Sequence, residues 1–473
     1  MNPSSFLPRK EDFNDLVLLA VPVVTVQLGL VTMGIADTVM VGRTSPPDLA
    51  AVSLGNLYFF IVTTFGMGLL MSLDPLVSQA VGAGDRGAVT RNVQRGLVLA
   101  AGLAVVSSLL LLPAGWVFHL LRQPEDVVPI ARSYAWAAIP GVLPFFLFVV
   151  FRQSLQAMGR LRPIVMTIVV ANGVNLLLNW VLIYGNLGVP PLGAVGSSLA
   201  TSFSRWFMAA VLLAGAWPLL RAHLRRVETE VFRRRAYARM LSVGAPIGIH
   251  FQMEFGAFAF TGLMMGWLGT TAMAGHQVAL NLAATAFMVP VGISGAAAVL
   301  VGRAVGEGDP ARARRAAGAS LFTGLAVMGT TALVFLGLPG LLARVYTNEP
   351  TVMALAAALI PIAGLFQVSD GLQVVAAGVL RGVGDTRLPM VLNVVGFWGV
   401  GIPVGALLAF QLGRGAQGLW WGLAAGLAVV AALLLVRIWF RFSSSLERVE
   451  VGGGHLTRVG TQGVKDVSAE GAG

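Results

Sequence analysis

Long stretches without a charged residue alternate along this chain with short segments dense in Arg, Gly, Pro and Asp. The first uncharged stretch lies between Asp15 and Asp37. In all, twelve apolar runs can be placed, roughly 15 to 40, 51 to 80, 93 to 118, 129 to 155, 163 to 186, 193 to 217, 240 to 266, 273 to 301, 316 to 343, 352 to 380, 389 to 411 and 417 to 440. Each has about the 20 mostly apolar residues that a helix needs to cross the hydrocarbon of a bilayer. They are too long for barrel strands, which alternate over about ten residues. The pattern predicts an all-α integral membrane protein with twelve transmembrane helices. Composition agrees: 56% of the 473 residues are hydrophobic and 11% charged, and the mean hydropathy of +0.80 lies far from that of soluble domains.

The opening "MNPSSFLPRKEDFNDL" runs straight into the first span, without the short apolar core and small-residue cleavage site of a signal peptide, and reads as a retained anchor. The absence of cysteine excludes disulfides, thiolate metal sites and attached haem. Lys10 and Lys465 are the only lysines and neither sits in a Gly-Lys-Ser/Thr loop, so the chain is no ATPase of that kind. Any pumping draws its energy elsewhere, and no cofactor is expected beyond a coupling ion.

The net charge is +11, and its placement matters more than its sum. With the N-terminus in the cytoplasm, 26 of the 32 basic residues fall in cytoplasmic segments, Arg152 and Arg381 among them, which predicts cytoplasmic termini. The run "RAHLRRVETEVFRRRAYAR" (221–239) reads as a topogenic linker touching anionic lipid, and no nucleic-acid partner is expected. The tail from 442 to 473, rich in Gly, Ser and Val, reads as disordered.

Sliding the sequence on itself by 224 residues lays Pro22 on Pro246, "MVG" (40–42) on "MMG" (264–266) and "AVGAGD" (80–85) on "AVGEGD" (304–309). Later the register slips slightly, with "LQAMGRLRP" (155–163) resembling "LRGVGDTRLP" (380–389). The chain is a tandem duplication of a six-helix unit: 1–220 forms one lobe, 221–239 the linker and 240–441 the second lobe. Six is even, so the repeats are parallel, and two such lobes flank a central cavity near the midplane and transport by rocking. The Gly-x-Gly-Asp turns lack the further glycine of a phosphate cradle and read as tight turns, with Asp85 and Asp309 capping the following helices.

Acidic side chains at membrane depth rarely face lipid and are functional candidates by default. Asp37, Glu254 and Asp370 qualify; Asp74, nearer an interface and followed by Pro75, reads as structural. Asn172, Asn175 and Asn179 share a face of the fifth run at i, i+3, i+7. With Asp37 they are either an ion or proton site or simply interhelical hydrogen bonds. Ser197, Ser198 and Thr201 add hydroxyls. In the second half Gln367, Asp370 and Gln373 drift along one face, and His250 sits one turn before Glu254. A buried carboxylate of this kind exchanges protons for cations. A Na⁺ at Asp37 or at Glu254/Asp370 is the only metal such donors suggest. His250 and His276 are either proton relays or satisfied contacts, and Arg205 snorkels or pairs with an acid. Gln277, Phe255, Phe287 and Phe366 are candidate walls of a substrate cavity, where aromatics would hold organic cations.

The phrases "VTVQLGLVTMGIADTVMVG", "GMGLLMSLDPLVSQAVGAGD", "AGHQVALNLAATAFMVPVGIS" and "GVLRGVGDTRLP" resemble the multidrug and toxic compound extrusion (MATE) family from about residue 13 to 441. Glu254 of "FQMEFGAF" and Asp370 of "FQVSDGL" resemble its NorM-type branch, and Asp37 with Asn175 and Asn179 matches the family's first-lobe cation or proton site. The resemblance implies a monomeric inner-membrane antiporter, not an enzyme, expelling amphipathic and often cationic compounds against inward Na⁺ or H⁺. The wider superfamily supplies the alternative of a lipid-linked oligosaccharide flippase. Two departures stand out: Asn179 replaces a second aspartate found in related branches, and Phe366 removes a tyrosine hydroxyl.

Overall fold

The computed structural model describes residues 3–226 and 228–449. Every regular element among them is helical. The spans are α1 (Lys10–Val41), α2 (Pro46–Gly82), α3 (Arg86–Leu111), α4 (Val128–Ala157), α5 (Arg162–Tyr184), α6 (Gly193–Gly215), α7 (Arg234–Trp267), α8 (Thr270–Glu307), α9 (Pro310–Gly337), α10 (Pro350–Gly382), α11 (Arg387–Gln411) and α12 (Gly415–Ser443). Ten are long and apolar enough to cross a membrane by themselves. An eleventh is α6 taken with the helix Trp217–Leu224, which turns 89° from it. The remaining one, α7, opens on Arg234 and Arg235 and carries His250, Gln252 and Glu254 at its centre.

Local signals set the ends and breaks. Asp85 and Asp309 cap α3 and α9 as expected, accepting from the N–H of Ala88 and of Arg312, each at 2.8 Å. Pro75 cannot donate to the carbonyl of Met71, and α2 breaks at Met71–Ser72 into an outer and an inner segment. Pro22 and Pro246 sit inside α1 and α7 at repeat-related positions. The rings of Phe6 and Phe442 lie 5.8 Å apart, so both ends of the chain emerge on one side, called here the termini-bearing end.

The duplication is written into the contact between the lobes. A methyl placed on Gly68 of α2 would lie 2.6 Å from Gly248 Cα of α7. Shifted by 224 residues, the same contact becomes Gly292 of α8 against Val24 of α1, where a methyl would lie 2.8 Å from the Val24 nitrogen. Gly82 meets the backbone of Arg303, and its mate Gly306 meets the backbone of Gln79. Ser78 and Gly302, mates of one another, touch on the axis itself. The recurring "AVGAGD" and "AVGEGD" phrases therefore supply close helix crossings, for which only glycine leaves room. These contacts run from the termini-bearing end to mid-span, where the ring of Phe60 of α2 meets that of Phe255 of α7 at 4.9 Å, tilted by 52°.

Beyond that depth, helical phase carries the contact face outward. On α8 the face of Gly292 returns at Thr285, Asn281 and Gln277, and all three are exposed. On α1 and α2 the equivalent faces present exposed Ile35 and Thr38, and exposed Ile61 and Leu57. The far half of the gap is thus a cleft, lined by Ile35 and Thr38 of α1 and by Ile61 and Leu57 of α2, with an amide and hydroxyl stripe on α8.

Inside the second lobe Gly422 and Gly426 of α12 pack against Gly405, Gly401 and Gly396 of α11, and Gly418 extends the stripe against Ala409. A methyl on Gly426 would lie 2.9 Å from Gly401 Cα, whereas one on Gly329 of α9 meets nothing within 4 Å. Gly426→Val is expected to cost about 1–3 kcal/mol by overpacking, read as a lower unfolding temperature in detergent, while Gly329→Ala leaves that temperature unchanged or slightly raised.

Candidate functional site

The two acid clusters lie in different lobes and both face inward. At about 100° per residue, Asp37 stands about 140° around α1 from Val24, the residue that touches α8. It points into its own lobe and is 3% exposed. Asn179 Nδ2 of α5 donates to Asp37 Oδ1 at 2.5 Å and to Asn175 Oδ1 at 3.1 Å, and Thr201 Oγ1 of α6 donates to Asp37 Oδ2 at 2.7 Å. The periodicity of α5 and α6 thus brings four of the expected residues together. Ser197 lies one turn from Thr201, fully buried, and its hydroxyl has no partner, as Asn179 Oδ1 has none. The cluster keeps spare buried oxygens beside a carboxylate.

Asn172 does not join it. Its amide donates to Ile168 O within α5 at 2.9 Å and to Gly29 O of α1 at 3.1 Å, so the third amide of the stripe pins α5 to α1. Ser198 likewise bonds backbone, at Tyr134 O. Arg205, two turns beyond Ser197, forms no salt bridge among the described residues, though it lies within Coulomb reach of Asp37. Its guanidinium carbon lies 4.0 Å from the ring centre of Phe59 and 5.5 Å from that of Phe145. Tyr134, whose hydroxyl donates to Asn56 Oδ1 at 2.8 Å, is a polar neighbour that sequence periodicity gave no reason to single out.

In the second lobe Glu254 is 7% exposed and Asp370, on α10, 3%. Glu254 Oε1 accepts from Gln373 Nε2 at 3.1 Å, and its Oε2 lies 3.2 Å from His250 Nε2. Asn393 Nδ2 of α11 lies 3.3 Å from the same imidazole nitrogen, which bonds Glu254 or Asn393 according to its tautomer. Asp370 is within Coulomb reach of Glu254. Gln367 Nε2 donates to Ala283 O at 2.9 Å. Four buried acceptors here have no donor: Asp370 Oδ1, Gln367 Oε1, Gln373 Oε1 and Asn393 Oδ1. Buried acceptors without donors are costly, and a hard cation, a proton or water would satisfy them.

The expected cavity walls divide. Gln277 is exposed on the cleft face of α8 and bonds Asn281 at 3.2 Å, and Phe255 meets Phe60 at the floor of the cleft. Phe366 is 2% exposed, wedged between Phe258 at 6.0 Å and Trp420 at 5.6 Å, and Phe287 packs against the core. These two rings belong to the interior of the second lobe. His276 is buried against Trp420 at 5.7 Å with Nδ1 unpartnered, and carries no relay contact.

Asp74 occupies a third place. It is fully buried on the inner segment of α2, with Oδ2 3.2 Å from Arg381 Nε of α10, across the lobe boundary. Arg152 of α4 adds a second positive charge nearby and bonds Gln27 of α1 at 2.9 Å. Arg152 and Arg381, counted from sequence as loop charges, are 8% and 6% exposed within their spans. Only the fold reveals that they face an acid from another helix.

A duplicated bundle of twelve spans, with carboxylates buried inside each lobe and a cleft between the lobes, is the architecture of a polytopic membrane transporter. A model of the MatE family matches residues 22–181 and 246–407, one block per lobe, and the chain belongs to that family. Among relatives, it is 39% identical to the "Multidrug resistance protein NorM" of Burkholderia vietnamiensis, over 91% of this chain and 94% of that one. It is 33% identical to the "Multidrug resistance protein MdtK" of Yersinia pseudotuberculosis, over 89% and 94%. The fold matches the crystal structure of the eukaryotic MATE transporter AtDTX14 with a TM-score of 0.84 at 22% identity, covering 93% of this chain and 99% of that one. A MATE transporter described as outward-facing matches at 0.84 and 19% identity, over 91% and 96%.

Removing one member of a buried charge cluster leaves the others uncompensated. Asp74→Asn, which strands Arg381 and Arg152, is expected to cost about 3–5 kcal/mol, whereas Asp74→Asn combined with Arg381→Met recovers part of that loss. Unfolding of purified protein, followed by intrinsic tryptophan fluorescence, gives the comparison.

Proposed function

We propose that this chain is a cation-coupled multidrug efflux antiporter of the bacterial inner membrane, with both termini in the cytoplasm. It exports amphipathic, often cationic, compounds by alternating access, driven by inward Na⁺ or H⁺. The relatives' names support multidrug export. The observation that carries ion coupling is the surplus of buried acceptors around Glu254 and Asp370, four oxygens without donors of which one is Asp370's own and three are side-chain amide oxygens. Asp37 with Asn175, Asn179, Thr201 and Ser197 repeats the theme in the first lobe on different helices.

The acids point into their lobes while the drug cleft lies between them, so ion and drug need not touch. Coupling then passes through the lobes' packing. An ion held at Glu254 and Asp370 favours one arrangement of α7 and α10, drug favours another, and each lowers the other's affinity by the same factor. Pro246, two turns before Glu254, leaves a carbonyl unbonded and is the compliant point of α7. The flippase alternative calls for cavity arginines, and the cleft positions named above are apolar or neutral. The basic residues concentrated toward the termini-bearing end support cytoplasmic termini.

Proteoliposomes loaded with a fluorescent organic cation, with Na⁺ and H⁺ gradients imposed separately, identify the coupling ion. Glu254→Gln and Asp37→Asn are expected to cut gradient-driven efflux by more than about tenfold, the effect of losing as little as about 1.4 kcal/mol of coupling. Wild-type rates in both variants would remove the acids from the coupling mechanism.

A further inference from the structure

Among the polar contacts that hold the lobes at the termini-bearing end, two residues related by the duplication each reach a carbonyl of the other lobe. Gln79 of α2 donates through Nε2 to Gly382 O, at the C-terminus of α10 in the other lobe, at 2.8 Å. Its repeat mate, Arg303 of α8, donates through Nε and Nη2 to Ala157 O, at the C-terminus of α4, at 3.1 and 2.8 Å. Carbonyls in the last turn of a helix have no partner within it and carry the negative end of its dipole. Each lobe thus offers an orphan carbonyl, and the other lobe brings the donor.

One half of this pair carries an addition that the other lacks. The chain leaving α12 does not turn away into solvent at residue 442. Phe442 O accepts from Arg314 Nη2 at 3.0 Å, and Arg441 Nη1 bonds Ser445 O at 2.9 Å. The chain then crosses onto the first lobe. There Arg448 Nη2 meets Asp85 Oδ2 at 3.0 Å, and Val449 N–H donates to Gln79 Oε1 at 2.7 Å. Val449 is 9% exposed and packs over Gly384 and into the first lobe's apolar core. The described part of the segment expected to be disordered is therefore packed, because Arg448 and the Val449 N–H find acceptors on the first lobe, the half-exposed Asp85 and the buried Gln79; 450–473 lies outside the described residues. Burial alone would raise the carboxyl of Asp85, but the Ala88 N–H and the Arg448 guanidinium outweigh it and hold the group below its ordinary range, with Arg91 adding to the effect. The latch stays charged at neutral pH.

We propose that Gln79 and Arg303 are the gate residues of the transport cycle at the termini-bearing end, and that Ser444–Val449 is a strap that holds this gate shut until it is withdrawn. The inference rests on the alternating-access reading above. A state open toward this end must surrender both carbonyls to water, so these two contacts are inexpensive to exchange, while the buried Asp74–Arg381 pair across the same boundary adds to what opening costs. The strap adds a bias toward the closed state, and Gln79 joins the two devices, since its amide serves Gly382 with one end and Val449 with the other.

The chain has no cysteine, so Arg160→Cys and Arg387→Cys, both exposed and in different lobes, give a clean pair for spin-label distances in lipid nanodiscs. Truncation after Ser443, Arg448→Glu, Gln79→Leu and Arg303→Leu are each expected to raise the ratio of long to short distances roughly fivefold, the scale of one net hydrogen bond. The same variants should lower the KM for a fluorescent cation presented at the termini-bearing face. Arg303→Lys, which keeps one donor, is expected to fall between Arg303→Leu and wild type. If the wild-type distance shifts with ion or drug while the variants match it in both distance and KM, the gate and strap are wrong and the transport reading stands. If the wild-type distance never shifts, alternating access fails and takes the gate with it. Arg448→Glu decides the strap should the truncated chain not fold.

Discussion

A polar group in hydrocarbon must find its partner within the protein, and most of what is specific to this structure follows from that constraint. Asp37, Glu254 and Asp370 are each turned into the interior of a lobe, away from lipid and away from the gap between lobes. Amides and a hydroxyl from neighbouring helices close around them, Asn179 and Thr201 in one lobe and Gln373 in the other, where the His250 imidazole on Glu254's own helix joins in. Neither shell is complete. The unpartnered oxygens left beside the carboxylates are what the proposed ion coupling rests on.

The same constraint organises the meeting of the lobes. Their shared surface is built from glycine crossings that let backbones approach closely, and from polar groups that bond across the boundary: Asp74 with Arg381, Gln79 with Gly382, Arg303 with Ala157. Contact pairs recur under the 224-residue shift, so one duplicated surface is used twice, as in an isologous dimer interface. Such an interface can close at one end at a time, because the same helices cross near mid-span and diverge beyond. The acids break this symmetry. Glu254 has Leu30 as its repeat mate and Asp37 has Thr261, so the scaffold is shared and the chemistry is particular to each lobe.

Much of this was legible in the order of residues. Period and length gave the helical class, the shift gave two lobes, and the three acids stood out because charges are so scarce in the spans. The i, i+3, i+7 stripe led to Asn175 and Asn179, but overreached at Asn172, whose amide finds the carbonyls of Ile168 and Gly29 first. Phe366 and Phe287 share the composition of a cavity wall, yet lie on faces turned into the core; residue type does not encode which side of a helix is covered. Arg152 and Arg381 sit close enough to span ends to be counted as loop charges, and their partner Asp74 is remote in sequence. The segment beyond Arg441 has the composition of a loose tail, and its packing depends on Gln79 and Asp85, more than 350 residues away.

By itself the sequence determined that this protein lives in a membrane, that it is a helical duplication, and which few acids its interior contains. These properties depend on composition and period, which are local and additive along the chain. Only the tertiary structure decided which polar groups meet, which remain unpartnered, and at which end the lobes are bound together. Those depend on the phase and crossing of helices distant in sequence, where a rotation of one residue turns a ligand into a packing contact.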